Sequence, residues 1–267
     1  MVRPILIGLA LAFLALMVLL PVIAIFERAL REGLAAYTAA ILEPETRAAI
    51  RLTVIATLIV VPVNIVFGTA AAWLVARYRF WGRRALLVLI ELPFAMSPIV
   101  VGLCFLLIYG AYGPVGAALA PYGIQLMFNL TGIVLVSVFI TCPFVMREIL
   151  PVLMVTGEDE EKAALTLGAN GWQIFRYVVL PNISWGLAYG TMLTMARAMG
   201  EFGAVSVVSG AIRGRTMTLP LQIELLYMDY NPTSAFAAAT VLTFLALLTL
   251  IIRGALMRLG PAKGGHA

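Results

Sequence analysis

The sequence predicts an all-α integral membrane protein with six transmembrane helices, and three observations carry that expectation. Of its 267 residues 63% are apolar and only 12% are charged. The mean hydropathy of +1.03 would leave far too much hydrocarbon facing water if the chain folded around a soluble core. The apolar residues also gather into runs long enough to cross roughly 30 Å of hydrocarbon at about 1.5 Å per helical residue.

The first run, residues 5–26, follows a single basic residue, Arg3. It is too long for a secretory leader, and Phe26-Glu27-Arg28 offers no small-residue cleavage site, so it reads as a retained span. The second run, 53–76, holds Pro62 and Asn64. The third, 86–109, has Pro93 and Pro98 on either side of Met96-Ser97, and the fourth, 130–150, holds Pro143. Each proline removes a backbone donor and frees a carbonyl that lipid cannot satisfy, which predicts bent or broken helices around a protein-enclosed pathway. Asn64, Pro93, Ser97 and Pro98 are candidates for that pathway; ordinary helix packing is the simpler alternative.

The fifth run, 184–208, contains Arg197 and Glu201, whose i,i+4 spacing puts both on one helical face. A charge at that depth costs at least about 2.5 to 3.5 kcal/mol unless paired or wetted, so the two read as a structural ion pair, or as a gate, a subunit contact or charges on the substrate pathway. Gly200 and Gly203 beside them permit close helix approach. The sixth run is 236–257. Cys104 and Cys142 both fall inside runs, without metal-ligand spacing, and read as packing residues.

Arginine and lysine placement sets the expected orientation. The second connection holds Arg77, Arg79, Arg83 and Arg84 with no acid, which places it in the cytosol. Arg3, the fourth connection with Arg147, Lys162 and Arg176, and the tail with Arg253, Arg258 and Lys263 then share that side. Arg28, Arg31, Arg47, Arg51, Arg213 and Arg215 lie opposite, the first-loop members offset by Glu27, Glu32, Glu43 and Glu45. Both termini are thus expected in the cytoplasm. The net charge of +5 follows from this topology and implies no nucleic-acid partner.

Several chemistries are excluded. The chain has no Gly-x-x-x-x-Gly-Lys-[Ser/Thr] loop, so any ATP must be hydrolysed on another subunit. Its sole histidine, His266, is in the tail, leaving no zinc site and no Ser-His pair in the membrane. Asp159 and Asp229 lie in loops on opposite sides, so no intramembrane aspartyl dyad forms. No catalytic or metal-ligating residues are assigned.

The fourth connection is the one sizeable polar segment. In residues 158–181 the acids Glu158, Asp159, Glu160 and Glu161 suit a helix N-terminus. Ala163, Ala164 and Leu167, then Trp172, Phe175 and Val179 after the turn at Gly168-Ala169-Asn170-Gly171, predict two short helices with apolar stripes. A solvated surface loop is the plain alternative.

Lys162-Ala163-Ala164, Gly168 and Val178-Val179-Leu180-Pro181 have the spacing of the Glu-Ala-Ala, three residues, Gly, nine residues, Ile-x-Leu-Pro pattern, and here the chain resembles the binding-protein-dependent ABC importer permeases. Lys162 stands where that family has Glu, with Glu161 before it, and Val178 stands where it has Ile. Which carboxylate serves in the family Glu's place is left open by the sequence.

The resemblance implies a type I ABC importer permease fold. It also implies a loop that docks into a separate ATPase subunit, with Ala163 and Ala164 allowing close approach and Gly168 the backbone reversal. Residues 196–224 resemble the sulfate and molybdate branch, and the continuation from Leu225 to Asn231 resembles the second, W-type permease of sulfate/thiosulfate importers.

A bacterial inner-membrane protein is therefore expected, surrounded by lipid. Its implied partners are a sister permease in a heterodimer, two ATPase subunits that bind ATP and Mg, and a periplasmic or extracytoplasmic sulfate-binding protein. Arg213 and Arg215 are candidates for meeting that protein or the anion, or are plain loop charges. A molybdate or tungstate importer of the same branch is the alternative substrate reading, and an ion-coupled secondary transporter the alternative class. The expected division is an N-terminal helix and external loop over 1–47, a permease core over 48–253 with its coupling loop at 151–182, and a tail over 254–267.

Overall fold

A computed structural model describes residues 2–259, with side chains at 5–249, 251, 252 and 254. The expectations on the side chains of Arg3, Arg253 and Arg258, and on Lys263, His266 and the end of the tail, lie outside the described residues. The described residues form helices α1 (Val2–Leu30), α2 (Leu34–Leu42), α3 (Pro44–Arg77), α4 (Arg83–Ala95), α5 (Pro98–Tyr109), α6 (Pro114–Leu119), α7 (Leu130–Thr156), α8 (Asp159–Thr166), α9 (Gly171–Ile174), α10 (Leu180–Met199), α11 (Gly203–Val208), α12 (Leu219–Met228) and α13 (Pro232–Leu259).

Among the described residues five helical stretches are long and apolar enough to cross a membrane: Ile5–Leu30, Pro44–Arg77, Pro98–Tyr122, Leu130–Thr156 and Pro232–Thr249. The fifth predicted run is not among them. Its polar residues interrupt it, and it forms the 20-residue α10 followed by the short α11. The prolines of the second and fourth runs do not break their helices: Pro62 lies inside α3 and Pro143 inside α7. The third run does break, at Met96-Ser97 between α4 and α5, because Ser97 precedes a proline and takes extended geometry.

The chain divides into two compact units, Met1–Thr53 with Ala211–Ala246 and Val54–Gly210 with Leu247–Ala267. In the first, Leu219, Leu226, Ala235 and Ala238 form a small core backed by Ile50 and Val241. Thr53 Oγ1 accepts from the Leu219 amide at 2.8 Å, supplying the cap that the first turn of α12 otherwise lacks.

In the second unit α7 is the central helix. Its residues Val145, Ile149 and Leu153 form one core with Ala72 and Val75 of α3 and Ile183 of α10. Small residues set these approaches. A Cβ on Gly186 would lie 2.7 Å from the Glu148 carbonyl oxygen, one on Gly190 2.8 Å from Val145 Cα, and one on Gly68 2.7 Å from Val145 Cβ. Gly186-x-x-x-Gly190 is thus a small-residue seam through which α10 lies directly on α7. The spacing is legible in the sequence, but only the structure shows which helix it meets.

Candidate functional site

The loop between α7 and α10 is built almost wholly from local rules. α7 stops at Gly157, whose φ of 71° suits glycine. Helix α8 opens with Asp159, Glu160 and Glu161, anions at the positive end of the helix dipole. It closes at Gly168, φ +85°, whose amide donates to the Leu165 carbonyl at 3.0 Å while the Ala169 amide donates to Ala164 at 3.0 Å. That double bond pattern is the Schellman termination, and it demands a left-handed residue at this place.

Asn170 and Gln173 then cap α9 reciprocally, Oδ1 accepting from the Gln173 amide at 2.9 Å and Oε1 from the Asn170 amide at 2.8 Å. One π turn, Phe175–Val179, joins α9 to α10. Pro181 explains it: the missing proline amide and its ring crowd an α turn, and the Leu180 amide instead reaches the Phe175 carbonyl. The second predicted short helix is therefore the leading end of α10.

Two faces result. Inward, Ile174 and Val179 are buried in the α3–α7–α10 core, with Ala164, Ala169, Phe175 and Leu180 against it. Outward, Ala163, Leu165, Leu167, Trp172 and Tyr177 are exposed, Leu167 at 88%. Val178 and Pro181 belong to the joint rather than to either face.

The charges are shared out with equal definition. Arg77, at the last turn of α3, donates through Nε to Glu161 Oε1 at 2.7 Å and holds the same oxygen through a second guanidinium nitrogen at 2.6 Å. Its remaining nitrogen donates to the Leu153 carbonyl of α7 at 2.9 Å. The Arg77 side chain is 8% exposed and that of Glu161 16%. Lys162 turns outward and pairs with Glu158 at 3.0 Å. The hydrogen bond and charge of Lys162 hold the Glu158 carboxyl below its ordinary value, and the Glu158 hydrogen bond and charge raise Lys162. Glu161 is therefore the anchored carboxylate, and Arg77, 84 residues away in sequence, is the partner that no local pattern reveals.

The pathway candidates fall into distinct environments. Asn64 is fully buried and donates to Thr141 Oγ1 at 2.7 Å, joining α3 to α7. Pro93 is buried within α4; Ser97 is exposed at the helix break, with Pro98 opening α5. Arg197 and Glu201 do pair, at 2.5 Å, and Glu201 Oε1 also accepts from the Ala204 amide at 3.1 Å. Glu201 thus ties the end of α10 to the start of α11. A Cβ on Gly203 would lie 3.0 Å from Pro98, so the break in the third run and the break in the fifth meet.

In the other unit Arg213 is already engaged, with Asp229 at 2.7 Å and Glu45 at 3.9 Å, whereas Arg215 is exposed and has no ion pair among the described residues. Gln222, which no local sequence pattern marks, is fully buried, and neither of its amide atoms is hydrogen-bonded among the described residues.

A multi-pass helical protein with a capped, two-faced loop between α7 and α10 has the layout of an importer permease, and the comparisons agree. Residues 64–259 match the family described as the binding-protein-dependent transport system inner membrane component, and the chain belongs to that family. It is a multi-pass inner-membrane component of a binding-protein-dependent transport system.

Among curated relatives, it is 53% identical over 251 residues to the sulfate transport system permease protein CysW of Escherichia coli (strain K12), covering 94% of this chain and 86% of that protein. The CysW protein of Synechocystis sp. is 49% identical, over 94% of this chain and 91% of that one. The sulfate transport system permease protein CysT of Escherichia coli (strain K12) is 36% identical, over 97% and 94%. Among solved structures, a bacterial ABC transporter involved in the import of the acidic polysaccharide alginate superposes with a TM-score of 0.80 at 14% identity, covering 96% of this chain and 95% of that one, which shows a common fold.

Proposed function

We propose that this chain is a permease subunit of an ATP-driven sulfate importer, with six spans and both termini in the cytoplasm. It forms half of a translocation pathway with a sister permease. Two separate ATPase subunits bind ATP and Mg and engage the loop at 158–181, and an extracytoplasmic sulfate-binding protein delivers the anion. The observation that carries the coupling role is the two-faced loop. An exposed apolar face at Leu165, Leu167 and Trp172 backs onto a helix bolted by Arg77 to both α3 and α7. A push on that face cannot move α8 alone, so closure of an ATPase pair would favour one packing of α3, α7 and α10 over another. Sulfate is favoured over molybdate by the names of the relatives that match over most of this chain.

The test is labelled-sulfate uptake in cells lacking their own sulfate permeases, with molybdate and thiosulfate as competitors. Uptake should require the ATPase subunits, and thiosulfate should compete better than molybdate. Uptake that survives loss of the ATPase but collapses with the proton gradient would make the chain a secondary transporter.

A further inference from the structure

The hairpin between α3 and α4 is unlike any other loop among the described residues. Arg77, Arg79, Arg83 and Arg84 fall within eight residues, interleaved with Tyr78, Phe80 and Trp81 and without an acid. Arg77 is consumed by Glu161 and the Leu153 carbonyl. The other three have no carboxylate within reach among the described residues. Arg83 Nε is buried with no hydrogen-bond acceptor among the described residues, a costly state for a cationic group.

These arginines, with Phe80, Trp81 and Leu87, line an open cleft of about 1010 Å³. The cleft lies at the N-terminus of the 13-residue α4, whose cap, Gly82, has φ 94° and offers no side-chain acceptor to the first-turn amides. Unpaired guanidinium groups beside a helix N-terminus that has no side-chain cap, its Arg83 amide meeting the Phe80 carbonyl at 3.3 Å, together ask for an oxyanion.

The aromatic residues decide which kind. Trp81 is fully exposed and Tyr78 is 55% exposed, immediately after a membrane-spanning helix ends at Arg77. Rings at that height sit among lipid headgroups, where adjacent arginines also meet the anionic surface. The geometry points to a binding site for the phosphate of an anionic phospholipid, formed by Arg79, Arg83 and Arg84 with Trp81 inserted beside the glycerol backbone. Because Arg77 fastens this same hairpin to α8, the lipid holds the end of α3 against which the coupling loop is anchored. The inference needs the membrane-spanning character of α3 and does not depend on which solute is carried.

The full-length protein is reconstituted in phosphatidylcholine vesicles containing a minor fraction of phosphatidylglycerol. Brominated acyl chains are carried either by the phosphatidylglycerol or by an equal fraction of the phosphatidylcholine. The Trp81 signal is the difference between the protein and its Trp81→Phe variant. Brominated phosphatidylglycerol should quench Trp81 more strongly than brominated phosphatidylcholine. Arg84→Gln, which leaves the other arginines to hold the topology, should lower that preference about fivefold, the factor equivalent to about 1 kcal/mol per arginine at an anionic surface. Replacing all three by Gln should abolish it.

Equal quenching by the two lipids, or a preference that survives the triple substitution, overturns the proposal. Loss of the preference on adding inorganic phosphate at constant ionic strength would make this a soluble-phosphate site. Loss on adding the ATPase subunits would make the hairpin a protein interface. Either result would also overturn the lipid assignment.

Discussion

Arg77→Gln is the perturbation that tests the anchoring of α8 most directly. The substitution removes the two contacts with Glu161 Oε1 at 2.7 and 2.6 Å and the bond to the Leu153 carbonyl at 2.9 Å, and it strands a carboxylate that is only 16% exposed. A hydrogen bond to a charged group is worth about 1.5 to 3 kcal/mol, and breaking a fully buried ion pair costs about 3 to 5 kcal/mol. Residual solvent access puts this pair at the lower end, about 2 to 3 kcal/mol. An eight-residue helix has little stability of its own, so the loss falls on α8 rather than on the whole bundle. Amide exchange over 159–166 should therefore quicken by about 30- to 150-fold while the exchange of α7 stays nearly constant. Arg77→Lys should recover only part, because an ammonium cannot span Glu161 and Leu153 as the guanidinium fork does. Unchanged exchange in α8, or a uniform loss throughout α7, would refute the reasoning.

Two further predictions concern the same loop. Gly168 has φ +85° and nothing within 4 Å of a built Cβ, so substitution there costs backbone strain alone. Gly168→Ala should destabilise the loop by about 1 to 2 kcal/mol, Asn by less and Val by more, with sulfate uptake falling in the same order, and equal effects of Asn and Val would contradict this. The Glu158–Lys162 pair should give the loop a flat pH response with two limbs. Glu158 is depressed from 4.5, so its contribution is present above that value and fades as pH falls below it; Lys162 is raised from 10.5, so its contribution holds below that value and fades above it. The acid limb of α8 amide protection should diminish in Lys162→Gln relative to the unaltered chain.

What the sequence disclosed follows the range of the forces involved. The acids at the start of α8, the left-handed Gly168 and the capping pair Asn170–Gln173 act over a single turn, and each is legible as a residue type at a fixed spacing. The apolar runs are equally legible, because crossing hydrocarbon demands length and apolarity and little else. Where helices break was harder to read. Proline alone does not decide it: Pro62 and Pro143 are absorbed within helices, whereas Met96-Ser97 and the Gly200–Phe202 segment are true interruptions that meet through Pro98 and Gly203. Contacts such as Arg77 with Glu161 or Asn64 with Thr141 join residues 84 and 77 positions apart. They arise from the close approach of α3 to α7, which one chain's sequence does not encode locally.

The departure of Lys162 from the family pattern becomes intelligible on the same grounds. On α8 successive residues point about 100° apart, so a carboxylate at 161 and one at 162 cannot do the same work. Position 161 faces the bundle and meets Arg77; position 162 faces outward, where an acid would follow Asp159, Glu160 and Glu161 and crowd four like charges into little more than one turn. A lysine there neutralises Glu158 one turn back and leaves Leu165 and Leu167 as the dominant chemistry of the outer face. The outer surface of α8 is thus apolar with a self-satisfied ion pair at its edge. The charge that ties α8 to the membrane helices is kept on the inner side, where solvent screens it least.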